Sequence, residues 1–236
     1  MNNKIIINFY EYGKVIYVTV ITVDFDGTLY KGNSFNAMFQ LAQKEFTIKE
    51  WLVVGQGVVI SAFAGLLKGK EALRKQFFLS FVRSFKGRTE QELDDFFEKL
   101  VEIGKADINW PLVDKIQEHQ NNGDKIIIVS GALHPFLQEF IKEVNLDVPI
   151  ISTEILYDEN RICTGDIHEY INGEQKVRHI QKWMKSKSIE EDTSVWAYAD
   201  SKSDLPLFRF ANHPVVVNPN KEMAIIADQY QWQVFR

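Results

Sequence analysis

Short apolar segments alternate with helical patterns along much of the chain, and this alternation predicts the fold class. The apolar segments have the length and the β-branched composition of strands that are buried on both faces. They lie at 18–23, 125–129, 149–151, 195–199 and 215–217. Helical patterns separate them, for example at 111–120, 134–144 and 174–187. Because strands that alternate with helices form parallel sheets, we predict an α/β fold.

A long segment without strand patterns, from Phe35 to Asp107, interrupts the alternation. Three successive stretches of this segment have the residue spacing of a helix, and in each stretch a set of residues shares one helix face. These faces consist of Phe35, Met38, Phe39, Leu41 and Ala42; of Ala72, Leu73, Gln76, Phe77 and Phe81; and of Leu93, Phe96, Phe97 and Leu100. We therefore predict an all-helical insert at 35–107 within a core that is formed by 1–34 and 108–236.

The most apolar part of the insert, Trp51–Leu67, raises the question of membrane contact. Gly55, Gln56, Gly57 and Ser61 interrupt this stretch. It is also shorter than the roughly 20 apolar residues that a membrane-spanning helix needs. We predict a buried helix or helix pair and no integral membrane segment, and peripheral contact with a membrane is the alternative.

Composition and charge narrow the class of protein. The 236 residues carry a net charge of -5, so no basic excess indicates a nucleic-acid partner. The single cysteine, Cys163, excludes an internal disulfide and fits a reducing cytoplasm, where we expect the protein to be located. No small-residue cleavage site follows the short apolar runs of residues 1–23, so we expect no signal peptide. The oligomeric state and the role of residues 1–17 stay open.

Two carboxylates, Asp24 and Asp26, follow directly on the first apolar strand, at a turn that contains Gly27. In open α/β sheets, ligands bind in the crevice at the carboxyl ends of the strands. Two carboxylates so close together repel each other unless a cation or a proton intervenes. The pair therefore indicates a metal site, a nucleophile with its acid/base partner, or both.

Three further polar clusters lie where we predict ligands to bind. Ser130 and the pair Asp200 and Asp204 follow predicted strands, and Lys176 lies near the start of the helix after Gly173. Each cluster alone has an ordinary explanation, such as a turn, a helix cap or a lysine that faces solvent. Their coincidence at one edge of the predicted sheet favours a functional site.

These clusters together resemble a known family. The segment Asp-Phe-Asp-Gly-Thr at 24–28, then Ser130, Lys176 and the pair Asp200 and Asp204, is similar in order to the four motifs of the haloacid dehalogenase superfamily. The helical insert between the first two motifs resembles the branch that contains the phosphoserine phosphatases. The resemblance implies a Rossmann-like parallel sheet core in which the insert at 35–107 is a cap over the site.

The resemblance also implies a reaction and its catalytic residues. Asp24 would be the nucleophile that attacks phosphorus and forms an aspartyl-phosphate. Asp26 would protonate the leaving alcohol and then activate water. Lys176 would neutralise the nucleophile and the phosphate. Members of the superfamily that cleave carbon–halogen bonds generally lack the second aspartate, so Asp26 favours phosphate chemistry.

The implied cofactor is Mg²⁺, which prefers oxygen ligands and keeps several waters. Asp24, the main-chain carbonyl of Asp26 and Asp200 would bind it, and Asp204 would be a ligand through water or support the others. The implied phosphate-binding groups are Ser130, Lys176 and the backbone N–H groups of Phe25 and Gly131.

The implied substrate is a small phosphorylated metabolite whose identity stays open. Phosphoserine phosphatases tend to have an acidic residue shortly after the first motif, whereas residues 30–35 contain no carboxylate. They also usually have Gly and Asn in the fourth motif, where this chain has Ser201 and Ser203. The candidate residues for contact with the substrate are Tyr30, Lys31 and Phe35. The alternatives are a phosphotransferase or phosphomutase with the same intermediate, and a non-catalytic binding module.

Overall fold

The computed structural model describes residues 10–11, 14–15 and 19–236. Strands β1 (Tyr10–Glu11) and β2 (Lys14–Val15) form a small antiparallel pair. The role of the remaining residues before 19, and the predicted start of the first long strand at Val18, lie outside the described part of the chain.

A parallel sheet forms the centre of the described structure, as the sequence predicts. Its strands are β3 (Val20–Val23), β4 (Lys125–Leu133), β5 (Ile150–Thr153), β8 (Val195–Ala199), β9 (His213–Val217) and β10 (Gln233–Phe235). Their order across the sheet is β10-β9-β8-β3-β4-β5, and all neighbours are parallel. Strands β6 (Ile155–Tyr157) and β7 (Cys163–Ile167) form a separate antiparallel hairpin. The predicted α/β fold is therefore confirmed.

Helices cover both faces of this sheet. They are α5 (Trp110–Asn121), α6 (His134–Glu143), α7 (Glu174–Ser186), α8 (Leu205–Phe210) and α9 (Lys221–Gln229). Successive side chains of a strand point to opposite faces. Accordingly, Ile128 packs in the core that α5 and α6 share, whereas Ile127 and Val129 pack with α7 and α8 on the other face. Strand β3 lies at the centre, so the residues that follow it lie between two layers of helices.

The predicted insert is helical. Its helices are α1 (Ser34–Glu45), α2 (Ile48–Lys68), α3 (Lys70–Ser84) and α4 (Glu90–Gly104), followed by a short 3₁₀ helix at Lys105–Asp107. The two segments that join it to the sheet lie side by side. The Lys31 N–H donates to the Asp107 carbonyl (2.8 Å), and Asn109 Nδ2 donates to the Thr28 carbonyl (2.9 Å). The division into core and cap stays a prediction.

The insert also contacts the β6–β7 hairpin. The Gly87 N–H donates to the Cys163 carbonyl (2.9 Å), and the Cys163 N–H donates to the Arg88 carbonyl (2.8 Å). Cys163 is a free thiol, and it is buried, as expected for a small apolar residue. The hairpin therefore joins the helical insert through backbone hydrogen bonds that are independent of the two connecting segments.

The structure confirms the predicted helix at Trp51–Leu67, but the prediction that this stretch is buried is wrong. A single helix, α2, covers this stretch, and large apolar side chains such as Leu52 and Val59 are exposed. Helix α2 buries Val54 and Ser61 on the side that faces α3. Burial requires neighbours on every side, and α3 covers only one side of α2. None of the helices in the described residues has the length and hydropathy to cross a membrane.

The remaining differences from the predicted elements are local. Strand β4 continues past Ser130 to Leu133, with a shift in its register against β5. Strand β9 begins at His213, two residues before the predicted start. Helix α9 and strand β10 follow, where the sequence patterns predict neither.

Candidate active site

The turn after β3 brings the first motif against the fourth. The Asp24 N–H donates to the Tyr198 carbonyl of β8 (2.8 Å), so Asp24 continues the direction of the central strand. Gly27 has φ +76°, and a Cβ atom there would lie 2.2 Å from Oδ2 of Asp200. The turn therefore needs glycine both for its backbone conformation and for the close approach of Asp200.

Three carboxylates and one ammonium group form the centre of the site. Asp24, Asp200 and Asp204 each offer an oxygen that lies within 4.8 Å of the other two. Lys176, whose relative exposure is 3%, donates from Nζ to Oδ1 of Asp24 (2.6 Å) and to Oδ1 of Asp204 (2.5 Å). In the described part of the chain, Asp200 forms no ion pair with a lysine, arginine or histidine. Negative charge is therefore in excess when the cluster is ionised.

Burial and mutual repulsion disfavour the ionised cluster. Burial raises the pKa of Asp24 to about 8; Lys176 opposes this shift, and the charges of Asp204 and Asp200 add to it. Burial and the charge of Asp204 raise the pKa of Asp200 to about 6. Burial works against the charged form of Lys176, but the carboxylates of Asp204 and Asp24 outweigh it and raise its pKa above the ordinary value.

The donor set of this cluster fits a divalent cation. Its three carboxylate groups supply hard oxygen ligands, which Mg²⁺ prefers. A cation would compensate the excess negative charge that a single lysine leaves. Asp24, Asp200 and Asp204 are thus brought together as the sequence predicts, and the identity of the ion stays a prediction.

The carboxyl group of Asp26 is bound by the start of the helical insert. Its Oδ1 accepts from the Ser34 backbone N–H (2.6 Å), and its Oδ2 accepts from Ser34 Oγ (2.7 Å). Burial raises the pKa of Asp26, and the two hydrogen bonds from Ser34 oppose this shift. Because Ser34 is the first residue of α1, the position of this helix determines the orientation of the Asp26 carboxyl group.

Ser130 and Gly131 lie within β4, beside the end of β3. Ser130 is buried, and its Oγ accepts from the Ala132 N–H (3.1 Å). A Cβ atom on Gly131 would lie 2.8 Å from the Ile171 carbonyl oxygen, so the backbones pack closely here. The Gly131 carbonyl accepts from Thr153 Oγ1 (2.9 Å). The role of this segment in phosphate binding stays a prediction.

The three residues expected near the substrate have different surroundings. Tyr30 differs from the expectation, because its relative exposure is only 3% and its ring stacks on Phe25 with centroids 5.6 Å apart. Phe35 packs edge-to-face against Phe77 (5.2 Å between centroids) and is half-buried. Lys31 is exposed. The structure thus places Tyr30 in the aromatic core rather than at an open mouth of the site.

Sequence reasoning missed two serines that donate hydrogen bonds to carboxylates of the candidate site. Ser34 binds Asp26, and Ser201 Oγ donates to Oδ2 of Asp204 (2.7 Å). Asn33, the residue before Ser34, is a helix N-cap, so the sequence contains a signal for the start of a helix. It contains no signal that this helix begins against Asp26.

Comparisons with known proteins agree with this geometry. Residues 21–209 match the family of haloacid dehalogenase-like hydrolases. A protein named histidinol-phosphatase from Neisseria meningitidis serogroup C (strain 8013) is 28% identical over 125 residues, which are 50% of this chain and 54% of that protein. The chain thus spans about half the length of this relative.

Solved structures share the fold. One is a protein of unknown function from Bordetella pertussis Tohama I, with a TM-score of 0.75 and 20% identity over 93% of this chain and 99% of that one. Another is a probable phosphoserine phosphatase from Vibrio cholerae, with a TM-score of 0.62 and 19% identity over 92% of this chain and 60% of that one. At these identities the likeness concerns the arrangement of helices and strands.

Proposed function

Because the chain belongs to the family of haloacid dehalogenase-like hydrolases, we propose that it is a Mg²⁺-dependent phosphomonoesterase that acts through an aspartyl-phosphate. One observation carries the proposal: buried Lys176 contacts both Asp24 and Asp204, and Asp200, which has no ion pair with a described residue, lies beside them. Names of similar proteins, histidinol-phosphatase and probable phosphoserine phosphatase, support a phosphate ester as the substrate class.

The proposed metal site consists of Asp24, the main-chain carbonyl of Asp26 and Asp200, with Asp204 as a ligand through water or as a support. When bound there, Mg²⁺ supplies positive charge that offsets the charge of the phosphoryl oxygens. Lys176 is a second, permanent positive charge, since its neighbours hold it protonated. Ser130 and the backbone N–H groups of Phe25 and Gly131 would bind the remaining phosphate oxygens.

In the first half of the proposed reaction, a carboxylate oxygen of Asp24 attacks phosphorus in line with the ester oxygen. The new bond joins Asp24 to phosphorus, and the bond from phosphorus to the ester oxygen breaks. Asp26 gives its proton to the departing oxygen, which leaves as an alcohol. The raised pKa of Asp26 supports this role, because burial favours its protonated form.

In the second half, Asp26 accepts a proton from a water molecule as the water attacks phosphorus. The bond between phosphorus and Asp24 breaks, inorganic phosphate leaves, and Asp24 returns to a carboxylate. Asp26 regains its proton, so the cycle is balanced. The contact of Lys176 with Asp24 Oδ1 stabilises the carboxylate at both ends of this cycle.

The helical insert is the part of the chain that we propose selects the substrate. It connects to the site through Ser34, and Lys31 lies exposed in the segment that leads to it. A small phosphorylated metabolite is the proposed substrate class. The cytoplasmic location expected from the single cysteine stays a prediction.

The test is the Asp24→Asn variant, assayed with Mg²⁺ on a generic aryl phosphate and on a panel of phosphorylated metabolites. We expect turnover to fall by at least about 1,000-fold, because an amide is a poor nucleophile and phosphoryl transfer then lacks its first step. Asp114→Asn, at an exposed position of α5, is the matched control and should retain full turnover. Mass spectrometry of acid-quenched wild-type protein should show one added phosphoryl group on Asp24.

Undiminished turnover in Asp24→Asn contradicts the proposal. Transfer of phosphate to added alcohols or sugars, rather than to water, would instead support the phosphotransferase alternative. Absence of Mg²⁺-dependent turnover over the whole panel would support the non-catalytic binding module.

A further inference from the structure

The exposed face of α2 carries a regular apolar stripe. Its members are Ile48, Leu52, Gly55, Val59, Ala62 and Leu66, and every one is exposed. The four large side chains among them have relative exposures between 62% and 85%. The spacing along the chain is 4-3-4-3-4 residues, which is the repeat of the a and d positions in a coiled coil. We call these six residues the α2 seam.

The α2 seam lies opposite the contact between α2 and α3. At that contact, a Cβ atom on Gly57 would lie 1.9 Å from the Cβ of Ser80, so the two helices pack tightly there. Residues two positions from Gly57, such as Gly55 and Val59, point to the other side of the helix at 100° per residue. A Cβ atom on Gly55 would meet no atom within 4 Å, so this side of α2 is open.

The α2 seam is complementary to itself when two copies run antiparallel. With a twofold axis at the level of Gly57, the residue numbers of facing positions add up to twice 57. Leu52 then faces Ala62 of the second copy, and Val59 faces Gly55. Large side chains thus face small ones in the central layers, and Ile48 faces Leu66 at both ends. A parallel pair would set Gly55 against Gly55 and leave that layer unfilled.

The distribution of charge also favours a second copy of this chain as the partner of the α2 seam. Residues 51–67 contain no aspartate, glutamate, lysine or arginine, so no like charges meet over this part of the seam when two copies pack together. Helices that lie on membranes usually carry lysine and arginine along a polar face, and this stretch of α2 has none. Large exposed apolar patches mark interaction sites, and here the pattern specifies a partner of the same sequence.

We propose that the α2 seam is the interface of a homodimer, in which α2 of one chain packs antiparallel against α2 of a second copy. The seam runs for about 27 Å at a rise of 1.5 Å per residue. Helices α2 and α3 of both chains then form four packed helices around the twofold axis. The proposal does not depend on the reaction assigned to the Asp24 site.

The first test measures mass in solution by sedimentation equilibrium over a range of protein concentrations. We expect the mass of two chains for the wild type, and a dissociation constant at least about 100-fold higher for Val59→Glu, which buries one unpaired charge per chain. Ile225→Glu, at an exposed position of α9, is the matched control and should leave the dimer intact. A monomeric wild type, or an unchanged dimer in Val59→Glu, overturns the proposal.

The second test fixes the direction of the helices and does not depend on the folding of Val59→Glu. Ile48→Cys and Leu66→Cys are separate variants at exposed positions, and Cys163 is buried and does not compete for disulfides. We expect a disulfide between chains when the two variants are mixed, and none in either variant alone. A disulfide in Ile48→Cys alone indicates parallel helices and overturns the antiparallel register, as does its absence from the mixture.

Co-sedimentation with vesicles distinguishes a membrane from a second copy. The wild type should stay in the supernatant with phosphatidylcholine vesicles and with vesicles that also contain phosphatidylserine. Binding to either kind of vesicle that Val59→Glu abolishes would assign the α2 seam to a membrane and overturn the homodimer.

Discussion

At the scale of single residues, the hydrogen bonds from Ser34 to Asp26 link the proposed acid/base to the helical insert. Both oxygens of Asp26 accept from this one residue, at 2.6 Å and 2.7 Å. Two donors on one carboxyl group fix its orientation, which proton transfer requires. We therefore expect Ser34 to affect the proposed reaction by positioning Asp26.

The Ser34→Ala variant tests this positioning role. It removes the Oγ donor and keeps the backbone donor, so we expect kcat for an alkyl phosphate to fall by roughly 10-fold, with little change in KM. For 4-nitrophenyl phosphate the loss in the rate at which Asp24 is phosphorylated, measured in a single turnover, should be small, because nitrophenolate leaves without help from an acid. Ser186→Ala, at an exposed position of α7, is the control. Equal losses in this phosphorylation rate on both substrates would show that Ser34 does not support proton donation by Asp26.

Lys176 is the residue on which the charge balance of the site depends. The Lys176→Met variant leaves Asp24, Asp200 and Asp204 without their ammonium partner. We expect urea unfolding of the metal-free variant to show a loss of about 3 to 5 kcal/mol, with a loss of turnover of at least about 100-fold. Added Mg²⁺ should recover part of the lost stability, since it binds the same carboxylates.

Lys182→Met, on the exposed side of the same helix, is the matched control and should change stability by less than about 0.5 kcal/mol. Equal stability of the two variants in the absence of metal would contradict the central role of Lys176.

At the scale of elements, the turn between β3 and α1 determines how closely Asp200 approaches Asp24. Gly27→Ala tests this turn, because its Cβ atom would lie 2.2 Å from Oδ2 of Asp200. Gly123→Ala is the matched control, since Gly123 also has a positive φ (+84°) but no atom within 4 Å of its added Cβ. In both variants, alanine at a positive φ causes a backbone strain of about 1 kcal/mol. Gly27→Ala adds the steric clash between the new Cβ atom and Asp200.

We expect Gly27→Ala to lower the free energy of unfolding by at least about 2 kcal/mol more than Gly123→Ala does, and to weaken Mg²⁺ binding. Calorimetric titration with Mg²⁺ measures the second effect. Equal destabilisation and equal metal affinity in the two variants would show that Asp200 shifts away from the added Cβ atom without loss of stability or of metal binding.

Elements were predictable from the sequence where local pattern and burial agree. Strand β3 has a continuous apolar run and lies fully buried between β4 and β8, so its pattern matches its surroundings. Helix α9 buries only Met223 and Ala227 among its described residues, and its periodic signal is weak. The apolar sequence of α2 predicts burial, yet α3 covers only one side of this helix. Which neighbours an element finds is a property of the whole fold.

The site was predictable to a similar extent. Asp24 and Asp200 follow buried strands, and Ser130 lies within β4 beside the end of β3. These residues lie at one edge because the carboxyl ends of parallel strands meet there. Lys176 was a candidate because it lies near the start of the helix after Gly173, and its role was assigned through the family resemblance, since a lysine near a helix start has no distinctive pattern. The contact of Ser34 with Asp26 depends on the path of the chain between them, which no local rule specifies.

At the scale of the whole molecule, the carboxylate cluster makes stability depend on pH and on metal. The folded protein holds protons on Asp24 up to about pH 8 and on Asp200 up to about pH 6, whereas unfolded carboxyl groups release them near pH 4. The folded state thus binds more protons than the unfolded state in this interval. Its free energy of unfolding therefore falls as pH rises, and above pH 8 the contribution of Asp24 is lost.

We expect the free energy of unfolding of the metal-free protein, measured with urea in the presence of EDTA, to fall between pH 6 and pH 8 by at most about 1.4 kcal/mol per pH unit. His134 has a pKa that burial lowers, so it contributes the opposite slope near pH 6. The Asp24→Asn variant keeps His134 and lacks the raised carboxyl, and its curve should be flatter or rise.

Mg²⁺ competes with protons for the same oxygens, so it should stabilise the wild type more at pH 8 than at pH 6 and reduce the downward slope. If the metal-free wild type and Asp24→Asn have the same slope, the cluster does not hold the proton that its burial and charge imply. The difference between the two curves reports the titration of Asp24 together with the groups whose charges it feels, Lys176, Asp204 and Asp200, and it links the proposed nucleophile to the stability of the fold.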